Sequence, residues 1–349
     1  MIWIAWRRLR SIIIASAIAV AVVVAVALST GRTAQRLGNE YLHAPCHGGG
    51  WSTANNVFCS KVAGEYYSLR GGQGNFILAV IVVALAIASV LGAATVAAEF
   101  DRGTVRWAWT QSRSRRRWWG ESSMVALAGT ALLVAPLALI MSWWEGAVSY
   151  GTRFDSQVFL VDGWILLAYA LLVTSFTLAA GLLVRHPGWL VVFGILVGMG
   201  TSYTVNKEWR TDLVATRTSI LADKVVNGNF DQLPNVPYQS DVYYSGFRPT
   251  GQSSIPSPSQ STTFQTQIST CSTAVSKVVL GKTPRQSESN AQSAEIETTC
   301  EHQLGLQLVE VYIPEGEFWA LQDREGAMVL GASALLWWSG WWWVRRTRA

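Results

Sequence analysis

Charge is what this chain has least of. Only 14% of its 349 residues are Asp, Glu, Lys or Arg, against about 25% in an ordinary soluble domain. A fully soluble enzyme, a disordered chain and a nucleic-acid-binding domain all fit poorly. Catalytic signatures are missing too: there is no HExxH and no GxSxG. A phosphate-binding loop is present only as a fragment, Gly281-Lys282-Thr283, because the upstream glycine position holds Ser276. The chain therefore has no ATPase of its own by this reading. Cysteine is sparse, at four residues, and the spacing of His43, Cys46, His47, Cys59 and His302 matches no common zinc pattern. No metal is expected.

What the chain has in excess is apolar runs and tryptophan. Half of it is hydrophobic, 18 residues are Trp, and the mean hydropathy of +0.25 averages very apolar blocks with one polar block. A membrane-crossing helix needs about 20 mostly apolar residues. Six runs qualify or nearly do: 11–29, 76–98, 122–144 with Pro136 inside it, 163–184, the short 189–205, and 327–344. All 27 Lys and Arg and all 22 Asp and Glu fall outside them, as expected where a mid-bilayer charge costs about 2.5–3.5 kcal/mol. No histidine lies inside a run either, so a membrane-embedded enzyme would have no group for its chemistry. The expected fold is an all-α polytopic membrane protein of six helices. The polar block before the last run is expected to be a large mixed α/β insertion.

The short segments set the orientation. Residues 1–10, 99–121, 185–188 and 345–349 carry 13 basic residues against three acids, whereas the opposite side carries 14 basic and 19 acidic. By the positive-inside rule the Arg-rich segments and both termini face the cytoplasm. Segments 30–75, 145–162 and 206–326 then face out. The pI near 9.1 is thus a topology signal, and no nucleic-acid partner is expected. Arg7, Arg8 and Arg10 before an apolar run also fit a secretory signal, but the run exceeds the usual core of about 7–15 residues. An uncleaved helix is the preferred reading.

Two cysteines fall in each of two outward regions, an oxidising location that permits disulfides. Pairing within regions gives Cys46 with Cys59 and Cys271 with Cys300, although four cysteines allow three pairings. In the large region, residues 208–226 carry Trp209, Leu213, Ile220 and Leu221 at near-helical spacing. Residues 248–267 read as an exposed loop rich in Ser, Thr, Gln and Pro, and 304–313 as a strand. Gly194 and Gly198 in the fifth run permit close helix contact, either as a dimer seam or as ordinary packing. Thr174, Thr177, Thr201 and Ser202 are the polar candidates for a substrate pathway.

The most informative stretch is 99–121, which includes EFDRGTVRWAWTQSRSRRRWW. Its Glu99, Phe100, Gly103, Thr104, Arg106, Thr110, Gln111, Ser112, Arg115, Arg117 and Trp118 resemble the motif of permease subunits of ATP-binding-cassette transporters, type-2 exporter class, closest to a branch common in actinobacteria. A second stretch, Tyr312-Ile313-Pro314, Phe318-Trp319, Gln322 and Glu325, resembles the motif before that family's last span, with Glu317 where the family often has Arg.

The resemblance implies a permease that moves a hydrophobic or amphipathic substrate across a bacterial plasma membrane. It implies a permease homodimer, contact with membrane lipid, and a separate cytoplasmic ATPase subunit. This chain would bind no cofactor; ATP and Mg²⁺ would sit on the ATPase. Residues 1–10 would form an interfacial elbow helix and 99–121 a coupling helix. Glu99, Arg102, Gly103, Thr104, Arg106, Thr110, Gln111, Arg113, Arg115 and Arg117 would meet the ATPase. The competing reading is a membrane sensor whose exterior region binds a ligand or an envelope partner.

The topology is checked by thiol labelling of intact cells. Ser257→Cys should react with an impermeant reagent and Ser114→Cys should not; reaction at residue 114 would reverse the orientation.

Overall fold

In the computed structural model, residues 2–43, 71–101, 114–148, 153–184, 186–214, 217–220, 241–249, 262–271 and 303–346 are described, with 61, 64, 65, 68 and 300 besides. Most of residues 99–121, including Arg102, Gly103, Thr104, Arg106, Thr110, Gln111 and Arg113, lie outside them, as do Cys46 and Cys59. The chain forms two compact units. The first comprises residues 1–151, 155–213 and 319–349; the second comprises 152–154 and 214–318.

The first unit is helical: α1 (Ile2–His43), α2 (Gln73–Asp101), α3 (Arg115–Val148), α4 (Ser156–Val161), α5 (Ile165–Ala180), α6 (Pro187–Thr204), α7 (Arg210–Leu213) and α9 (Phe318–Arg346, from Trp319 on). Among the described residues, four stretches are long and apolar enough to cross a membrane: Leu9–Leu37, Gln73–Ala97, Arg115–Val148 and Pro187–Trp209. The chain is thus a multi-pass membrane protein. The fourth apolar run yields only the 16-residue α5, and the sixth lies in the Trp-rich α9.

Several boundaries differ from the sequence expectation. Residues 1–10 are no separate elbow, because α1 runs unbroken from Ile2 and nothing between Arg10 and Ser11 breaks a helix. The helix also continues past residue 30 to His43. Pro136 is accommodated inside α3; neighbouring helices re-satisfy the freed carbonyl in such settings.

The centre of the unit is α2, which is apolar all round. Of its apolar window 61% is buried, against 17% for that of α1 and 22% for the α6 stretch. Lipid tails are as apolar as leucine, so helices in a bilayer associate through close packing of small residues. Three glycines provide it. A Cβ on Gly92 would collide with the Thr177 hydroxyl of α5, and one on Gly194 with Ser89 of α2. A Cβ on Gly198 would stand 2.8 Å from Val173 and 3.0 Å from Leu85. Gly194 and Gly198 are therefore packed within the chain, whereas nothing lies within 4 Å of a Cβ on Gly200. Hydroxyls here turn back on their own helices: Ser89 donates to the Leu85 carbonyl at 2.7 Å, Thr95 to Leu91 at 2.6 Å and Thr177 to Val173 at 2.9 Å.

Polar contacts pin the ends. Trp144 Nε1 donates to Thr30 Oγ1 at 2.8 Å, tying α3 to α1, and Gln73 Nε2 donates to the Glu145 carboxylate, tying α2 to α3. At the opposite end Trp337 Nε1 of α9 donates to Ser123 Oγ of α3 at 2.8 Å. The start of α3 and the end of α9 therefore share one end of the bundle.

α6 passes into a π turn, Val205–Trp209, before α7. Val205 and Arg210 are buried while Trp209 is 50% exposed. A spacing of five between inward residues is that of a π turn, not of an α-helix.

The second unit holds β1 (Arg217–Ile220), β2 (Asp241–Pro249), helix α8 (262–271) and β3 (Leu306–Ile313). The strands form an antiparallel sheet in the order β1-β3-β2. The helix expected over 208–226 ends at Leu213, because Arg217–Ile220 pairs with Tyr312–Val309 of β3. The loop expected over 248–267 is likewise cut short. Arg248 and Pro249 close β2, and residues from 262 are helical. Pro249 ends an edge strand, where no ladder donor is needed. Cys271 and Cys300 form a disulfide beside Ile268 and Leu306, the core of this unit.

The glycine seam gives a paired test. Gly194→Leu should lower stability in detergent by about 1–3 kcal/mol through overpacking, and Gly200→Leu should leave it within about 0.5 kcal/mol. Equal effects in thermal unfolding would show that the seam does not order the bundle.

Candidate functional site

A buried polar knot forms where α5 begins and α7 and α9 meet it. α5 is entered through the turn 162–164, whose Gly163 has φ +108°. This left-handed value favours glycine, and a Cβ there would also collide with the Gln322 side chain. Gln322 fills the turn. Its Nε2 donates to the carbonyls of Phe159 (3.3 Å) and Asp162, and its Oε1 accepts from Trp164 N at 3.3 Å. Gly163 N donates to Ser142 Oγ at 2.7 Å. The Trp164 ring lies across Gly326, where a Cβ would collide with it, and its Nε1 donates to Asp323 Oδ1 at 3.3 Å.

One turn along the same inner face of α9, Glu325 is 1% exposed. Its Oε1 accepts from the Tyr169 hydroxyl at 2.9 Å, and its Oε2 stands 3.9 Å from Nε of Arg210, itself 2% exposed. The Arg210 guanidinium lies 4.1 Å above the Phe159 ring. Burial raises the Glu325 carboxyl above its ordinary value, while the Arg210 charge and the Tyr169 hydroxyl act to lower it. Arg324 Nη1 donates to the Leu213 carbonyl. The second sequence motif is thus an inward-facing stripe, Gln322 and Glu325, that receives α5 and α7.

A cleft of about 190 Å³ opens beside the knot. Leu78, Ile81 and Leu85 of α2 and Met199 of α6 form its apolar walls, and Tyr169, Ser202 and Asn206 supply polar groups. Tyr169 therefore belongs to both features.

The sequence-predicted pathway residues separate. Ser202 lines the cleft. Thr174 and Thr177 are fully buried between helices; Thr174 Oγ1 lies 2.9 Å from Thr130 Oγ1 and donates to the Ala170 carbonyl. Thr201 donates to the Val197 carbonyl at 2.7 Å. Of the residues expected to meet an ATPase, Glu99 is half-buried near the end of α2, and Arg115 and Arg117 open α3. Arg117 Nε pairs with Glu121 at 2.9 Å. Sequence reasoning missed Arg210 and Tyr169. Trp209 was read as the periodic residue there, and the π turn moves the inward position to its neighbour.

A family model described as "ABC-2 membrane transporter related" matches residues 17–207, more than half of the chain. The match runs from α1 into the π turn. No curated protein and no solved structure matches.

Removing one partner of a buried ion pair leaves the other charge uncompensated. Glu325→Ala should therefore cost about 3–5 kcal/mol, and Tyr169→Phe about 1 kcal/mol. Adding Arg210→Met to Glu325→Ala should recover part of the loss. A double-mutant cycle by thermal unfolding with zero coupling would dissolve the pair.

Proposed function

The chain belongs to the ABC-2 membrane transporter related family, and from that premise we propose that it is the permease subunit of an ABC exporter driven by a separate cytoplasmic ATPase. It is a transporter permease in the general sense that the family conveys, and the family's membrane component is not itself catalytic. The observation that carries the finer reading is the family match over 17–207 on a chain whose only phosphate-loop fragment lacks its first glycine. Work must then arrive from another chain.

In this reading six helices cross a bacterial plasma membrane, with α5 and α9 completing the four spans of sufficient length and apolarity. The Arg-rich end, where α3 starts and α9 finishes, faces the cytoplasm. Residues 99–121 form the coupling element, the longest cytoplasmic segment by far. The chain acts as a homodimer. The cleft supports a hydrophobic or amphipathic substrate, since its apolar walls meet a hydroxyl-bearing margin. The sensor reading draws on the second unit, which has its own disulfide-linked core.

Gly103→Val and Arg106→Glu separate the two readings. Both should insert normally, yet weaken co-purification of the ATPase or abolish substrate-stimulated hydrolysis, Arg106→Glu by about tenfold to a hundredfold through charge reversal at a contact and Gly103→Val through the lost backbone freedom of glycine. Wild-type binding and coupling in both variants would reduce residues 99–121 to a topology anchor.

A further inference from the structure

The Arg-rich end of the bundle carries a second arrangement that neither the coupling element nor the cleft explains. α3 opens on Arg115, Arg116 and Arg117 with no acidic residue in its first turn, although the positive end of a helix dipole disfavours cations there. Arg117 is offset by Glu121. Arg116 instead lies over the Trp341 ring of α9, 5.8 Å from its centre, and Arg345 lies 5.8 Å from the centre of the same ring. The two guanidinium carbons are therefore at most about 12 Å apart. That is close to the screening length of about 8–10 Å at physiological salt, so they repel. Arg346 sits 3.8 Å over Trp342. All three are exposed, and among the described residues none of them forms an ion pair.

The floor beneath these cations is rigid. Trp119 is fully buried, and Trp337 and Trp341 pack on its cluster. The Trp337 bond to Ser123 then locks α9 to α3. Aromatic faces offset part of the repulsion, but a ring carries no net negative charge. What would complete the site is an anion held between Arg116 and Arg345.

We propose that this rim binds the phosphate of an anionic phospholipid. The exposed Trp342 ring lies beneath Arg346. A ligand that is anionic at one end and apolar at the other matches both; a soluble anion matches only the arginines. The site is independent of the transport reading. It requires only that this end of the bundle lies at a bilayer surface.

The test uses the full chain in detergent. Native mass spectrometry reads retained lipid, and thermal unfolding reads stability, in phosphatidylglycerol against phosphatidylcholine. Phosphatidylglycerol should be retained preferentially and raise the melting temperature. Arg116→Gln and Arg345→Gln should each weaken that preference about fivefold, the usual worth of one basic residue near an anionic surface. The pair should abolish it without changing stability in phosphatidylcholine. The Arg116→Lys, Arg345→Lys pair should restore much of it. Arg32→Gln, on α1, should have no effect. Equal retention of the two lipids, or an undiminished preference in the Gln pair, overturns the proposal. Inorganic phosphate that stabilises as much as phosphatidylglycerol overturns the lipid assignment in favour of a free-anion site.

Discussion

The close approach of α2, α5 and α6 is the constraint on which the first unit depends. Hydrocarbon gives helices no reason to prefer one another to lipid. Contact must come from surfaces that fit, and here the fit is made by Gly92, Gly194 and Gly198 against Ser89, Val173 and Thr177. That contact sets the depth of α5 between its neighbours. It thereby places Tyr169 at the edge of the cleft and within reach of Glu325. A wider seam would move both features at once.

The knot binds parts of the chain that are remote in sequence. The chain leaves the first unit after Leu213 and returns to it at Trp319. Arg210 and Leu213 on the outgoing side meet Glu325 and Arg324 on the returning side, and Gln322 fixes the entry to α5. Helix termini leave carbonyls and amides without intrahelical partners. One glutamine side chain answers three such groups here. Gln322 and Glu325, three residues apart, both lie on the buried face of α9: the first closes the turn and the second meets Tyr169 and Arg210.

Much of this was legible in the sequence. Where apolar runs are long and free of charge, as at 76–98 and 122–144, only a helix satisfies the backbone, and α2 and α3 cover them. The strand at 304–313 was visible in Leu306–Ile313, and its partner β2 was not, since its end lies in a Ser- and Pro-rich stretch. The pairing of Cys271 with Cys300 followed from their shared region. Less legible was which hydroxyls face a cavity. Thr174, Thr177, Thr201 and Ser202 look alike in sequence, and only packing sends three of them to neighbouring carbonyls and Ser202 to the cleft. Arg210 was hidden for a different reason. Helical periodicity counts in steps of 3.6, and the chain departs from that step just before it.

That departure shows how a helix can carry one residue more than its period allows. An α-helix turns about 100° per residue. Five residues of regular helix would carry Arg210 about 140° round from Val205 and away from the interior; the π turn takes up the extra residue and keeps both facing inward. Lys207, Glu208 and Trp209 point outward and are free to vary in kind. The segment is in effect a helix with one residue added, and the widened turn carries that residue without disturbing the inward face before or after it.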